Sequence, residues 1–186
     1  MGETRDDAAG EAFDKVARVL GLRYPGGPEI QRAADASTGD VEPLPRAWLE
    51  GTFDFSFSGL KTAMINRARR EGIYPAPLDG PDAVRVAGLA RAFQDSVADV
   101  LVTKCIAVAA RFGCAGVVLA GGVAANRALR EMLIKRSPLP VAVPPVALCT
   151  DNGAMIAMSG MWRYEAGRRD SWDLDVQPGL RVGAPA

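Results

Sequence analysis

Two short stretches carry residue types that could hold a small ligand: Val117–Asn126, VVLAGGVAAN, and Cys149–Ala157, CTDNGAMIA. In the first, Val117, Val118 and Leu119 run without interruption, as in a strand covered on both faces. Gly121 and Gly122 follow, where backbone can bend sharply or come close to a ligand. Good helix formers then fill Ala124–Lys135. A strand, a glycine turn and a helix start leave free N–H groups at a positive dipole end, which suits a phosphate. Asn126 adds an amide that both donates and accepts. The spacing GGxxxN is neither the dinucleotide fingerprint nor the P-loop, and the same residues also make an ordinary βα turn. In the second stretch Thr150 or Asp151 can cap the helix that follows. Asp151 can equally aim its carboxylate at a metal or at the edge of a nucleotide site, although one carboxylate is not a metal site.

A third candidate, Asp14, lies on a segment whose periodicity predicts an amphipathic helix over Asp6–Leu20. Ala9, Phe13, Val16 and Leu20 form its apolar face, and Asp6, Asp7 and Glu11 make its first turn acidic. Asp14 falls beside Phe13: it is either buried and useful or simply at the edge of the stripe. Gly21 stops that helix, Tyr24–Pro28 forms a rigid turn, and Pro28 opens a short helix over Glu29–Ala36. Ser37–Gly51 is connection. Phe53–Thr62, FDFSFSGLKT, alternates Phe53, Phe55 and Phe57 against Asp54, Ser56 and Ser58, which predicts a half-buried strand broken by Gly59. A helix over Leu60–Arg70 follows. Lys61 with Arg67, Arg69 and Arg70 is the only basic cluster, either a solvated helix end or a phosphate or RNA contact. Glu71–Asp82 is loop, and a long helix runs from about Ala83 to Phe112 with Phe93, Val97, Leu101, Cys105 and Val108 on a core face. Nothing on that helix proposes chemistry. Short strands are expected at Val117–Ala120 and Pro140–Val143, a last helix at Ala154–Ala166, and an edge strand around Trp172–Val176, before a tail with Pro178, Gly179, Gly183 and Pro185.

Composition narrows the chemistry further. The 186 residues suffice for one domain with a sizeable core or two small lobes, and 48% of them are hydrophobic. The 22 basic and 22 acidic residues cancel, which argues against a strongly basic nucleic-acid-binding domain. There is no histidine, hence no imidazole base and no HExxH-type metal site. Cys105, Cys114 and Cys149 form no CxxC pair and read as core thiols in a reducing compartment. The polar, acidic N-terminus shows no signal peptide, and no apolar run reaches the length of about 18 residues that a membrane span needs. The default location is cytoplasmic.

Four segments, in this order, go beyond anonymous βα turns: Asp6–Gly27, Phe53–Thr62, Leu119–Arg130 and Cys149–Ala157. They closely resemble the TsaD family of tRNA threonylcarbamoyladenosine transferases, from about Gly2 to near Gly167. The resemblance implies an α/β, actin-like ATPase fold with RNase-H-like lobes, of which this chain is the C-terminal lobe with a helical insertion and without the N-terminal lobe. Residues 1–167 are then the C-terminal part of such a domain, with a helical segment over about 28–112 and a nucleotide-side α/β segment over about 113–167, and residues 168–186 form a tail. The implied reaction moves the threonylcarbamoyl group from threonylcarbamoyl-AMP to the exocyclic amine of the adenosine beside the anticodon, in tRNAs reading codons that begin with A.

Residue by residue, the resemblance makes Asp14, Gly27 and Asn126 substrate-binding and places Gly121 and Gly122 on the phosphate side. It makes Asp151 a ligand of one divalent metal, iron or similar. Some members have a further Asp four residues past the YPGG glycine; Gln31 stands there in this chain, so that contact is not carried over. The expected partners are threonylcarbamoyl-AMP, tRNA, a smaller actin-like paralogue and a P-loop ATPase, with no membrane. The family's HxxxH metal pair and SGGH loop are absent from this chain. The expectation is therefore an incomplete enzyme, inactive alone. The competing readings are a non-catalytic actin-like partner subunit and a nucleotide-binding lobe of another actin-like ATPase.

Overall fold

The computed structural model describes residues 2–75 and 82–176. Its elements are α1 (Ala9–Val19), α2 (Gly26–Asp35), α3 (Ser58–Arg70), α4 (Ala83–Arg111), β1 (Val117–Val118), α5 (Arg127–Arg136), β2 (Val141–Ala142) and α6 (Gly153–Glu165). A single 3-10 turn, Gly122–Ala125, joins β1 to α5, and another, Val146–Leu148, precedes α6. The fold is α/β. The chain forms two compact units, Met1–Thr150 and Asp151–Ala186.

In the first unit α4 is the spine. Asp82 caps it by accepting from the N–H groups of Val84 and Arg85. Its N-terminal two-thirds buries Val86, Leu89, Phe93 and Val97 against Phe13 and Val16 of α1, Ile30 of α2 and Met64 of α3. Phe93 meets Phe13 edge to face at 5.1 Å. Each such side chain contributes about 2–3 kcal/mol by leaving water, more than any helix propensity in the segment. Further along, Ala98, Val102 and Ala109 bury Val117, Leu129 and Leu133, so the same helix also carries α5 and the sheet. The sheet is parallel, with Val117 opposite Val141 and Val118 opposite Ala142.

The structure corrects several expectations. The strand at Val117 is covered on one face only: Val118 is 74% exposed. The FDFSFSGLKT segment is not a strand. Its one ladder contact is a bridge from Phe55 to Thr4, because the partner segment offers only Glu3 and Arg5 backbone groups. Asp54 on the supposed wet side is buried, taken by the Glu3 N–H at 3.0 Å and by Arg5, which together hold its carboxyl below the usual range. Gly59 does not break the chain but lies inside α3. The basic cluster is neutralised internally: Arg67 pairs with Glu71 and Glu42, Arg70 with Glu42, and Lys61 with Asp7, while Arg69 lies over the Tyr74 ring. Cys149 is buried and Cys105 half-buried, but Cys114 is exposed. No strand forms at Trp172–Val176. Pro178, Gly179, Gly183 and Pro185 lie outside the described residues, as does half of the Glu71–Asp82 loop.

In the second unit α6 is capped by Asn152, which accepts from the Met155 N–H at 3.1 Å; neither Thr150 nor Asp151 does this. The helix is mostly apolar up to Arg163, and Ile156, Met161 and Trp162 are exposed.

Candidate functional site

Asp14 points its Oδ1 at the start of α2. Its carboxylate accepts the Gly26 N–H at 2.7 Å, the first orphan donor of a helix whose own N-cap, Pro25, has no side chain to offer. The approach is close because Gly26 has no Cβ: one would lie 2.6 Å from the Cα of Asp14 and 2.7 Å from the Phe13 carbonyl. The neighbouring Gly27 faces open space. Gly21, at φ 71°, ends α1, and the cis peptide Tyr24–Pro25 turns the chain into α2.

The opposite wall comes from the far end of the sequence. Gly121, at φ 89°, makes a turn that residues with a Cβ rarely adopt. The 3-10 turn follows, and its first N–H groups, at Gly122 and Val123, have no intrahelical acceptor. The helix expected from Ala124 begins only at Arg127, with Asn126 as N-cap; its Oδ1 accepts the Leu129 N–H at 3.0 Å. Gln31 Oε1 accepts the Arg127 N–H at 2.7 Å. Two donors at the mouth of α5 are therefore taken by side chains. The N–H groups of the 3-10 turn, at Gly122 and Val123, are not taken in this way. Arg130 fastens this wall to the next one: it donates to the Ala124 carbonyl, to the Pro144 carbonyl at 3.0 Å and to the Cys149 sulfur at 3.0 Å.

These walls enclose a pocket of about 610 Å³, within the size range of small-molecule sites. Gly10, Phe13 and Asp14 line it from α1, and Pro25, Gly27, Pro28 and Gln31 from the start of α2. Gly122, Val123, Ala125 and Asn126 line it from the glycine turn, and Val146 and Thr150 from the loop beyond β2. Asp14, Gly27, Gly122 and Asn126, singled out from sequence, thus share one pocket; Gly121 makes the turn beside it. Asp151 is exposed at the start of the second unit. Among the described residues no three His, Cys, Asp or Glu side chains converge as a metal site would need.

Sequence reasoning missed three supports. Gln94, on the supposedly inert face of α4, is 4% exposed, and its Oε1 accepts from Asn126 Nδ2 at 2.8 Å. The signal was available: a polar residue stands next to Phe93, on the face of the helix that is core. Gln31, named only as a departure, braces α5. Asp6 does not join α1 but caps α3. Its carboxylate accepts from the Ser56 and Ser58 hydroxyls at 2.5 and 2.6 Å and from the Phe57 and Ser58 N–H groups at 2.8 and 3.3 Å. Slight desolvation raises its pKa, but these four hydrogen bonds outweigh that and hold it at about 2.

Comparison with known proteins decides the family. The model for "TsaD: tRNA N6-adenosine threonylcarbamoyltransferase" matches residues 1–158. The chain belongs to this family. The tRNA N6-adenosine threonylcarbamoyltransferase of Dehalococcoides mccartyi strain BAV1 is 49% identical over 182 residues, covering 98% of this chain and 52% of that protein. The one from Bacillus subtilis strain 168 is 50% identical over 190 residues, covering 98% and 52%. The chain thus spans about half the length of the curated relatives it matches. The crystal structure of T. kodakarensis HypF aligns with a TM-score of 0.60 at 19% identity, over 86% of this chain and 20% of that one; the likeness is one of fold. All the pocket segments of this family member fall inside the matched range. Among the described residues no helix is long and apolar enough to cross a membrane.

Proposed function

We propose that this chain is the adenylate-holding, C-terminal lobe of an actin-like tRNA threonylcarbamoyladenosine transferase. The observation that carries the reading is the convergence of Asp14, Gly27, Gly122 and Asn126, from ends of the sequence about a hundred residues apart, on one pocket. In it the Asp14 carboxylate, with Oδ1 already on the Gly26 N–H, offers Oδ2 to the hydroxyls of a ribose. Gly27 leaves room for the nucleoside, and the Gly122 and Val123 N–H groups face the phosphate. The reaction is attack of the adenosine amine on the carbamoyl carbonyl of threonylcarbamoyl-AMP, with AMP leaving. This chain's contribution is to hold and orient the mixed anhydride, and orientation alone can supply much of an acceleration of this kind.

The described residues offer a metal only Asp151 and do not form a site by themselves. Iron or a similar ion needs further ligands from outside them, and no step is derived through it. A cytoplasmic setting, tRNA as acceptor, a smaller actin-like paralogue and a P-loop ATPase as partners complete the proposal. The test is transfer to tRNA, read by nucleoside mass spectrometry. The chain with threonylcarbamoyl-AMP and tRNA should give no modified adenosine. Added to a separately expressed segment equivalent to the other half of the Bacillus subtilis relative, together with the smaller actin-like paralogue and the P-loop ATPase, it should give it. Modification by the chain alone, or none in the mixture although the chain binds AMP, would sink the reading.

A further inference from the structure

A backbone N–H can only donate, and that fact propagates through three residues. The Leu129 N–H meets the Asn126 side chain at 3.0 Å, so the atom it meets is the amide oxygen. The other end of that amide is then the NH2 group, and what it meets in α4 at 2.8 Å must accept: the Gln94 oxygen. Leu129 and Gln94 are both buried, and Asn126 is 9% exposed, so water does not offer these groups an easy substitute. One hydrogen of the Asn126 NH2 is spent on Gln94. The second belongs to a side chain that lines the pocket.

We infer that Gln94 is a positioning residue, fixing the Asn126 carboxamide so that it offers a pocket ligand an N–H donor rather than an oxygen. The ligand group it selects is an acceptor: a phosphate or carbonyl oxygen, or an unprotonated ring nitrogen. Without Gln94, the single bond to Leu129 leaves the amide plane free to rock about its long axis, and the donor loses its aim. The use of AMP as probe rests on the adenylate reading of the pocket; the aim of the amide does not.

The experiment uses this chain as wild type and as Gln94→Leu, Gln94→Met and Gln94→Glu. Nitrogen–proton correlation spectra follow the Asn126 NH2 pair, assigned by its disappearance in Asn126→Ser. Calorimetry measures AMP binding. Leu and Met remove the strong acceptor and should shift the Asn126 pair and weaken AMP about tenfold, the size of one lost hydrogen bond. Glu keeps an oxygen within reach and should restore both readouts to near wild type, which a purely structural role of Gln94 in the core would not predict. An Asn126 pair unmoved by Leu and Met overturns the inference, and so does undiminished AMP affinity in those variants. If the wild type binds no AMP, the adenylate reading fails, and the spectra then decide the role of Gln94 by themselves.

Discussion

At the scale of single residues, the site's side chains have two duties each, and substitutions can separate them. Asp14 both caps α2 through Gly26 and lines the pocket. Asp14→Asn keeps an oxygen for the Gly26 N–H but loses the charge. It should melt within a few degrees of wild type while AMP binding falls at least about tenfold by calorimetry. Asp14→Ala strands the N–H as well and should cost about 1–3 kcal/mol in urea unfolding. The adjacent glycines differ in kind. A Cβ at Gly26 would meet backbone atoms at 2.6 and 2.7 Å that cannot swing aside, so Gly26→Ala should destabilise by about 2 kcal/mol or more. A Cβ at Gly27 meets nothing within 4 Å, and alanine is the better helix former. Gly27→Ala should therefore leave stability unchanged or slightly raised, and narrow the pocket instead. Equal destabilisation by the two would refute this account of the turn.

At the scale of elements, the recurring device is a helix capped by a residue from elsewhere. The N-caps of α2 and α3 are Pro25 and Phe57, neither of which caps through its side chain. Asp14 and Asp6 serve instead, and Gln31 reinforces α5. This explains what was legible in the sequence. The long helix was read to within a residue because its apolar period and its cap, Asp82, are local. The FDFSFSGLKT segment was misread because alternation states a strand's preference but not whether a neighbouring strand exists. Its true start as a helix depends on a carboxylate fifty residues away. The pocket residues were legible through the family's motifs; Gln94 was not, because its contact is tertiary. Asp6 also gives a test by pH. Its pKa is about 2 in the fold against 3.8 ordinarily, so its stabilisation is complete above about pH 4 and lost as pH falls through about 2. Asp6→Ala should unfold with a shallower acid slope over that window. At neutral pH it should be less stable by about 1 kcal/mol, a cap's usual worth, since an exposed carboxylate earns no more.

At the scale of the whole molecule, the two units contrast. The first has two buried clusters strung along α4; the second presents a mostly apolar helix, with Ile156 and Trp162 exposed at 72% and 66%. Such surface associates. Sedimentation of the chain should show mass rising with concentration, and Ile156→Glu with Trp162→Glu should suppress it; a stable monomer at all concentrations would contradict this. The bond between Gln31 and the Arg127 backbone, 96 positions apart, has a consequence in time. On a ribosome adding about 5–20 residues per second, one wall of the pocket emerges roughly 5–20 s before the chain that must face it. Through that interval α2 waits with its glycines uncovered, and a nascent chain held back there has no ligand site to protect it.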